Sequence, residues 1–520
     1  MVRVLLINPP QKYFEQSLGF NVYFPIGLLY IGAMIKDICE VKILDCLITD
    51  FKIKKTKNFI LYGTPFEKIR TIIRNFNPDI VGVTVPFSAQ SSNSEEIGRL
   101  CKQIDPNITV VFGGPDPSVR YQHFLKNDSC DFCVVGEGEK TFFEFVKNFH
   151  SKSSLKNIGG LACNTTEGIQ YRPREFLEIL DEIPLPAYEL INFKDYLGNP
   201  YLYISRSGIN PKKSISVITS RGCPYDCVFC SIKLHMGKKY RYHSPNYVIK
   251  HLKLLIERYG ISTFHFEDDN ISLNKSRFEQ ILDKIIENDL KIHWDIPNGI
   301  RTDTLDFDLL KKIKKSGCKH LTIAIESGNQ HVLSAIIKKN TSLDYMIKVI
   351  EYCKQLRIRL SSFYVIGFPG ETIENIKETL DLSLKLYKSY NVSPNTLVAT
   401  PLYGTELYDT CVKEKIIDSD LTDEDLSIAT QSYGNPLITT KEFSKDDIKN
   451  LMREYELKFE KERNSKLKKD RSRALAEAMI NYIKSTLRGE IDFLRIARKL
   501  YKLGLKRTFI NMLRVFVKIL

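Results

Sequence analysis

Twice along this 520-residue chain, short apolar runs alternate with longer amphipathic stretches. No other feature limits the fold as strongly. In the first block the runs fall at 2–7, 41–44, 79–85 and 108–112, with helical periodicity near 26–36, 66–76 and 92–104. Strands this short, separated by helices, predict a parallel sheet covered on both faces. Residues 180–187 (LDEIPLPA) form a proline-bearing joint biased toward extended backbone. Beyond it the strand-like runs are 214–220, 263–266, 291–295, 320–325, 359–366 and 396–400. Helical patterns at 245–259, 275–288, 307–315, 341–356 and 371–387 separate them. Six such units predict a partial parallel barrel with its chemistry at the carboxyl ends of the strands.

Composition narrows the setting. Hydrophobic residues make up 43% of the chain, enough for sizeable cores at a length that predicts two or three domains. No apolar run reaches the roughly 18 residues that span a bilayer. The apolar opening stops at Asn8-Pro9-Pro10, so it reads as a first strand rather than a secretory signal. Twelve cysteines without an export signal predict a reducing, cytoplasmic setting and no disulfide framework. Cys130 and Cys133 form a C-x2-C pair that lacks the second pair a zinc site needs. The net charge of +14 is concentrated toward the C-terminus and characterises that segment.

The chemistry gathers after the first strand of the second block. There Cys223-Pro224-Tyr225-Asp226-Cys227-Val228-Phe229-Cys230 sets three thiolates in a C-x3-C-x2-C array. Cysteines this close suit one soft metal centre, and a four-iron cubane held by three of them keeps one iron open. A zinc knuckle is the alternative; it needs a fourth ligand, and the nearest, His235, lies in a Lys-rich turn. Turn-forming strings end the first-block strands at Asn8-Pro9, Gly113-Gly114 and Gly136-Glu137. Each alone fits an ordinary strand–helix turn. At one sheet edge together they mark a ligand crevice.

The string SRGCPYDCVFCS, followed by GKKYRYHSP, resembles the cluster loop of the radical S-adenosylmethionine (radical SAM) superfamily. VLLINPP, FPIGLLYIGAMI, NPDIVGVTV, VVFGGPDPS and VVGEGEKTF resemble the N-terminal domain of its cobalamin-binding branch. The resemblance covers about residues 1–400 and implies an α/β chain in four parts. These are a doubly wound, Rossmann-like cobalamin-binding domain at 1–180, a linker at 181–196, a six-stranded partial barrel at 197–400 and a helical region at 401–520. It implies a 4Fe-4S cluster on Cys223, Cys227 and Cys230, with S-adenosyl-L-methionine (SAM) on the open iron. Phe229 is carried over as an adenine neighbour. Glu267 and Asp268 stand where the family's Gly-Gly-Glu meets the methionyl amine. Arg301 would face a carboxylate, Glu326 and Ser327 the ribose, and Gly367 and Pro369 the adenine. Asn8, Pro9, Gly113, Gly114, Gly136 and Glu137 are the implied cobalamin contacts. The D-x-H-x-x-G motif that gives cobalt a lower axial histidine is absent, and no His precedes His123. That axial position is then open, or filled by water or another side chain, unless the domain has kept the fold and lost the cofactor.

The resemblance implies an enzyme that methylates an unactivated carbon through a 5′-deoxyadenosyl radical and methylcobalamin. A flavodoxin or ferredoxin would donate the electron, and the substrate would be a small molecule or a lipid. A cyclase, rearrangement or carbon–carbon coupling enzyme would use the same parts. A methylthiotransferase would need a second three-cysteine cluster, for which the first domain offers only Cys39, Cys46 and Cys101 as loose candidates. A non-enzymatic carrier would not need the SAM-contact strings. Residues 493–520 contain no Asp or Glu, and their apolar residues recur at helical spacing. Such a basic amphipathic helix packs its stripe on a core or lies on an anionic membrane. The second option would make a cytoplasmic protein membrane-associated. No nucleic-acid-binding module surrounds the basic run, so no nucleic acid partner is expected.

Overall fold

The structure is a computed structural model that describes residues 1–14, 21–57, 59–127, 129–151, 155–199, 201–202, 213–417, 421–431 and 435–487. It divides into two compact units, 1–452 and 453–520. In the second, the described residues continue the helix Lys445–Leu487. The basic segment 493–520, with both readings of it, lies outside the described residues.

Two sheets organise the first unit. One has seven strands: β1 Arg3–Asn8, β2 Glu40–Asp45, β3 Ile80–Thr84, β4 Thr109–Gly113, β5 Phe132–Val134, β6 Leu161–Thr165 and β7 Gly168–Tyr171. Their order is β7-β6-β5-β4-β3-β1-β2, parallel from β2 to β5 and antiparallel at β6 and β7. Side chains alternate between two cores. Leu5, Ile7, Val81 and Val110 pack on one side, and Val4, Leu6, Ile80 and Val111 on the other. β1, β3 and β4, buried on both faces, read as continuous apolar runs, which is why the sequence located them. The antiparallel strands β6 and β7 had no expected counterpart. β1 stands between β2 and β3, where the winding reverses and such a sheet opens a crevice at its carboxyl edge.

The second sheet holds β8 Ser214–Val217, β9 Thr263–Phe266, β10 His293–Ile300, β11 Cys318–Glu326, β12 Arg359–Ile366 and β13 Ser393–Val398. They lie in chain order and all run parallel, the partial barrel expected. Three strands differ most from the periodicity. β13 is Ser393–Val398 instead of 396–400. β10 continues to Ile300 across register shifts against β11. β8 stops at Val217 instead of 220, because the Asp268 carboxylate takes the Thr219 N–H out of the ladder at 3.1 Å. A further antiparallel sheet of Gln11–Phe14, Phe59–Gly63 and Lys52–Lys55 had no expected counterpart.

The joint is less extended than its prolines suggest. It contains 3-10 turns at Leu180–Glu182 and Tyr188–Leu190 and a helix at Phe193–Leu197. Its buried aromatics tie the two blocks together. The Tyr196 hydroxyl donates to Asp45 at 2.6 Å, and Tyr188 pairs with His251 at 2.9 Å.

A buried ion quartet joins the blocks a second time. Arg221 and Arg241 lie on the short pair Ser220–Arg221 and Arg241–Tyr242, facing Glu137, which stands at the N-cap of the helix Gly138–Lys147 after β5, and Glu139 in that helix's first turn. Arg241 contacts both Glu137 oxygens at 2.8 Å, and Arg221 reaches Glu139 at 2.6 Å and Glu137 at 3.2 Å. None of these side chains is more than 7% exposed. Residues 401–452 also belong to the first unit; the Leu407 N–H donates to the Val228 carbonyl inside the cysteine loop at 2.9 Å.

Candidate active site

The cysteine loop is positioned by acids at the end of β9. Asp268 is fully buried, and one of its oxygens accepts from the Thr219 N–H, the Thr219 hydroxyl at 2.7 Å and the Ser220 hydroxyl at 2.5 Å. Asp269 accepts from the Gly222 N–H at 3.0 Å. The segment entering Cys223 is thus held by carboxylates from the neighbouring strand. Gly222 has φ +83°, and a Cβ there would lie 2.4 Å from the Lys239 carbonyl oxygen, so only glycine fits the turn.

Cys223, Cys227 and Cys230 are all partly buried. Burial pushes their thiols up, Cys230 to about 12. Against that trend, Arg301 favours the thiolates of Cys223 and Cys227, and Lys339 that of Cys227. A metal supplies the remaining drive, since a coordinating thiol is deprotonated outright. Among the described residues no three His, Cys, Asp or Glu side chains converge on one metal-ion point. Three thiols on one loop, flanked by two cations, are a donor set that fits a four-iron cubane.

The other strand ends surround this loop. Arg301, after β10, stacks on Tyr225 of the cysteine loop with its guanidinium 3.6 Å from the ring centre. It also pairs with Asp303 at 2.8 Å. The Phe229 ring lies 5.8 Å from Phe368, which brings Phe229 together with Gly367 and Pro369. Glu371 fixes that second loop: one buried oxygen accepts from the Gly367 and Phe368 N–H groups at 2.7 and 2.8 Å. Burial pushes the Glu371 carboxyl up to about 7. Glu267, at the end of β9, accepts from the Ser216 hydroxyl at 3.1 Å, and burial pushes it also up to about 7. Glu326 adopts a left-handed backbone with φ +67° and pairs with Lys339 at 2.9 Å. A β-strand-end residue held in such strain fits a site where side-chain direction matters.

Two expected contacts also have partners within the protein. Asp268 Oδ1 meets Thr219 and Ser220, while its Oδ2 is buried with no partner. Ser327 is fully buried and shares a 3.0 Å hydrogen bond with Thr379. Two residues that sequence reasoning did not single out stand near the cysteines. Lys339 sits beyond a π-helical turn, Val332–Ile336, where no strand-end signal points to it. Both side-chain polar atoms of Asn270 are buried without partners, and its amide faces Cys223. Its place after Glu267-Asp268-Asp269 was the available signal.

A cleft opens at the carboxyl edge of the first sheet. Gly82, Gly113, Gly114, Gly136 and Gly138 line it, and Ile218, Arg221, His235 and Met236 close it from the barrel side. A Cβ on Gly27, also in its wall, would meet nothing within 4 Å. At Gly82, Gly136 and Gly138 a Cβ would instead meet Leu6, Phe176 and Ile31 at 2.9, 3.3 and 3.0 Å, so those glycines serve packing. The open surface at Gly27 and the largely apolar wall fit one face of a corrin. Gly113, Gly114, Gly136 and Glu137 are thus gathered as expected, although the Glu137 carboxylate is shared by two arginines. Asn8 and Pro9 do not line this cleft; the Asn8 amide donates to Asp45 at 2.8 Å.

Comparison with known proteins agrees with this geometry. Residues 217–383 match the radical SAM superfamily model and residues 20–146 the B12-binding domain model. An uncharacterized methyltransferase of Pyrococcus horikoshii is 30% identical over 461 residues, covering 88% of this chain and 92% of that protein. The cytidylyl-2-hydroxyethylphosphonate methyltransferase of Streptomyces wedmorensis is 29% identical over 78% of this chain and 80% of its own length. Among solved structures, the radical SAM methyltransferase TsrM from Kitasatospora setae, with cobalamin and a [4Fe-4S] cluster bound, shares the fold. Its TM-score is 0.60 at 18% identity, over 80% of this chain and 75% of that one. The chain belongs to the cobalamin-binding branch of the radical SAM superfamily, enzymes whose cofactors are a [4Fe-4S] cluster, SAM and cobalamin.

Proposed function

We propose that this enzyme transfers a methyl group to an unactivated carbon of a small molecule. One observation carries the reading: the glycine-rich cleft is closed by the same segment that bears the cluster loop, with Arg221 in its wall two residues before Cys223. When bound, the cluster and SAM supply a carbon radical able to abstract hydrogen, and cobalamin supplies the methyl group. The chain's own residues hold and orient. Cys223, Cys227 and Cys230 bind three irons. Glu267 faces the amino group of SAM, where a carboxylate makes charge-assisted hydrogen bonds. Phe229 and the Gly367–Pro369 backbone flank the adenine, and Glu326, steered by Lys339, accepts from the ribose hydroxyls. Arg301 holds Tyr225 over the loop and faces a carboxylate. Gly113 and Gly114 let the backbone approach the corrin. The reaction needs a one-electron reductant, for which a flavodoxin or ferredoxin is the proposed donor.

The test is anaerobic reconstitution with iron, sulfide and cobalamin, followed by SAM carrying a carbon-13 methyl group and a strong reductant. Corrinoid-containing protein that forms 5′-deoxyadenosine and releases the labelled methyl from SAM supports methyl transfer. Labelled methyl confined to methionine, with 5′-deoxyadenosine formed, would favour a cyclase or coupling enzyme. Alanine at any one of the three cysteines should abolish 5′-deoxyadenosine formation.

A further inference from the structure

A second cavity, of about 440 Å³, adjoins the glycine-rich cleft and shares Pro115 and His235 with its wall. Its size falls in the range of small-molecule sites. Tyr13, Phe87, Leu402, Tyr403 and Leu426 give it an aromatic and aliphatic lining. Phe87 is 62% exposed, a large apolar side chain left uncovered beside the opening.

The polar groups of this wall are mostly engaged with the protein itself. Gln90 exchanges two 2.6 Å hydrogen bonds with the Lys12 backbone. The Ser88 hydroxyl donates to Asp116 at 2.6 Å. Asp116, the one formal charge among the described lining residues, is neutralised by Arg120 at 2.6 Å. The hydroxyls of Tyr13, Tyr403 and Thr430 reach Gln11, the Leu421 carbonyl and the Leu426 carbonyl. Among the described residues, none in the lining is Lys or Arg. An anionic guest would therefore lose its hydration without gaining a countercharge, which is costly in a partly closed site.

His235 is the exception. Its Nδ1 is buried with no partner, and it sits in the wall common to both cavities. A neutral imidazole carries one donor and one acceptor nitrogen. Burial pushes His235 below its usual range and favours that neutral form, while the Ser231 backbone bonds the ring. The neutral ring therefore keeps hydrogen-bonding capacity that the protein does not use.

We infer that this cavity receives the methyl acceptor, and that the acceptor is an uncharged molecule with an apolar or aromatic body and a hydroxyl or N–H that hydrogen-bonds the His235 ring. The inference rests on the methyl-transfer reading and names its substrate class. It separates this enzyme from the Streptomyces relative, whose name specifies a phosphonate.

Calorimetric titration of the full chain, matched for cobalamin content by absorbance, tests it with three probes of one ring size: 2-naphthol, naphthalene and 2-naphthyl phosphate. The naphthol should bind at least tenfold more tightly than the phosphate. His235→Leu should weaken 2-naphthol about tenfold and leave naphthalene within twofold. Leu402→Arg, which adds a cation to the wall, should reverse the preference toward the phosphate. Equal or tighter binding of the phosphate to the wild-type protein overturns the inference, and so does a His235→Leu effect as large on naphthalene as on 2-naphthol. Failure of the methyl-transfer reading is seen separately, as protein that takes up no corrinoid.

Discussion

Replacing Glu137 by Gln tests what joins the two blocks. Glu137 meets Arg241 with both oxygens at 2.8 Å and Arg221 at 3.2 Å, while Glu139 meets Arg221 alone at 2.6 Å. The native quartet balances two positive and two negative charges. Glu137→Gln leaves Arg221 with Glu139, but Arg241 keeps only the carbonyls of Met236, Leu177 and Lys239, at 2.7, 3.1 and 3.4 Å. One unit of positive charge then stays buried without a direct ion-pair partner, with Asp269 a remaining acid that it feels. Breaking a buried pair in this way costs about 3–5 kcal/mol. At roughly 2 °C per kcal/mol for a large cooperative unit, the melting temperature should fall by about 6–10 °C. Glu139→Gln should cost less, because Glu137 still bridges both arginines. Scanning calorimetry of the two variants, with cobalamin uptake read by absorbance, decides the matter. A loss below 2 °C for Glu137→Gln, or a larger loss for Glu139→Gln, would refute this account of the quartet.

Gly222→Ala should cost at least about 2 kcal/mol, since φ +83° and a 2.4 Å approach to Lys239 both oppose a Cβ; the midpoint of urea unfolding measures it. Glu371→Gln should gain stability relative to wild type as the pH rises from 5 to 8. Burial raises the folded-state carboxyl from 4.5 to about 7, so ionisation between those values destabilises the native protein and not the amide. Melting curves at pH 5 and 8 that run parallel for the two proteins would contradict it. Glu139 has the opposite sign: burial raises its carboxyl, but Arg221 outweighs burial and holds it below 4.5. Its contribution is present above about pH 4.5 and lost as the pH falls further, so Glu139→Gln should narrow the gap to wild type in acid. Lys339→Met should leave Glu326 without its buried cation and weaken SAM binding several-fold, read by equilibrium dialysis.

The strands and the cysteine loop were legible because both are local signals. A doubly buried strand is an unbroken apolar run, and C-x3-C-x2-C needs no tertiary information. The ion quartet was not legible: Glu137 and Arg241 stand 104 positions apart, and their pairing depends on how two sheets dock. Glu137 was read as a cofactor contact because it ends a strand, and it does line the cleft, yet the arginines take its oxygens. Asp268 shows another limit. Its place after β9 was legible, but that its Oδ1 also caps the neighbouring strand was not, because that contact depends on how β8 and β9 pair. His235 was considered only as a metal ligand, since a lone histidine in a Lys-rich turn gives no hint of the cavity it faces.

The location of Arg221 limits how freely the parts of this enzyme can be exchanged. One side of it feeds the cluster loop, and its side chain is neutralised only by the N-terminal block. Grafting in another cobalamin-binding module without acids matching Glu137 and Glu139 would strand two guanidinium groups in a dry seam on either side of the cluster loop. Working chimaeras must therefore inherit the 136–139 and 220–242 segments as one heritable piece, so the functional unit of recombination runs across the domain border instead of along it.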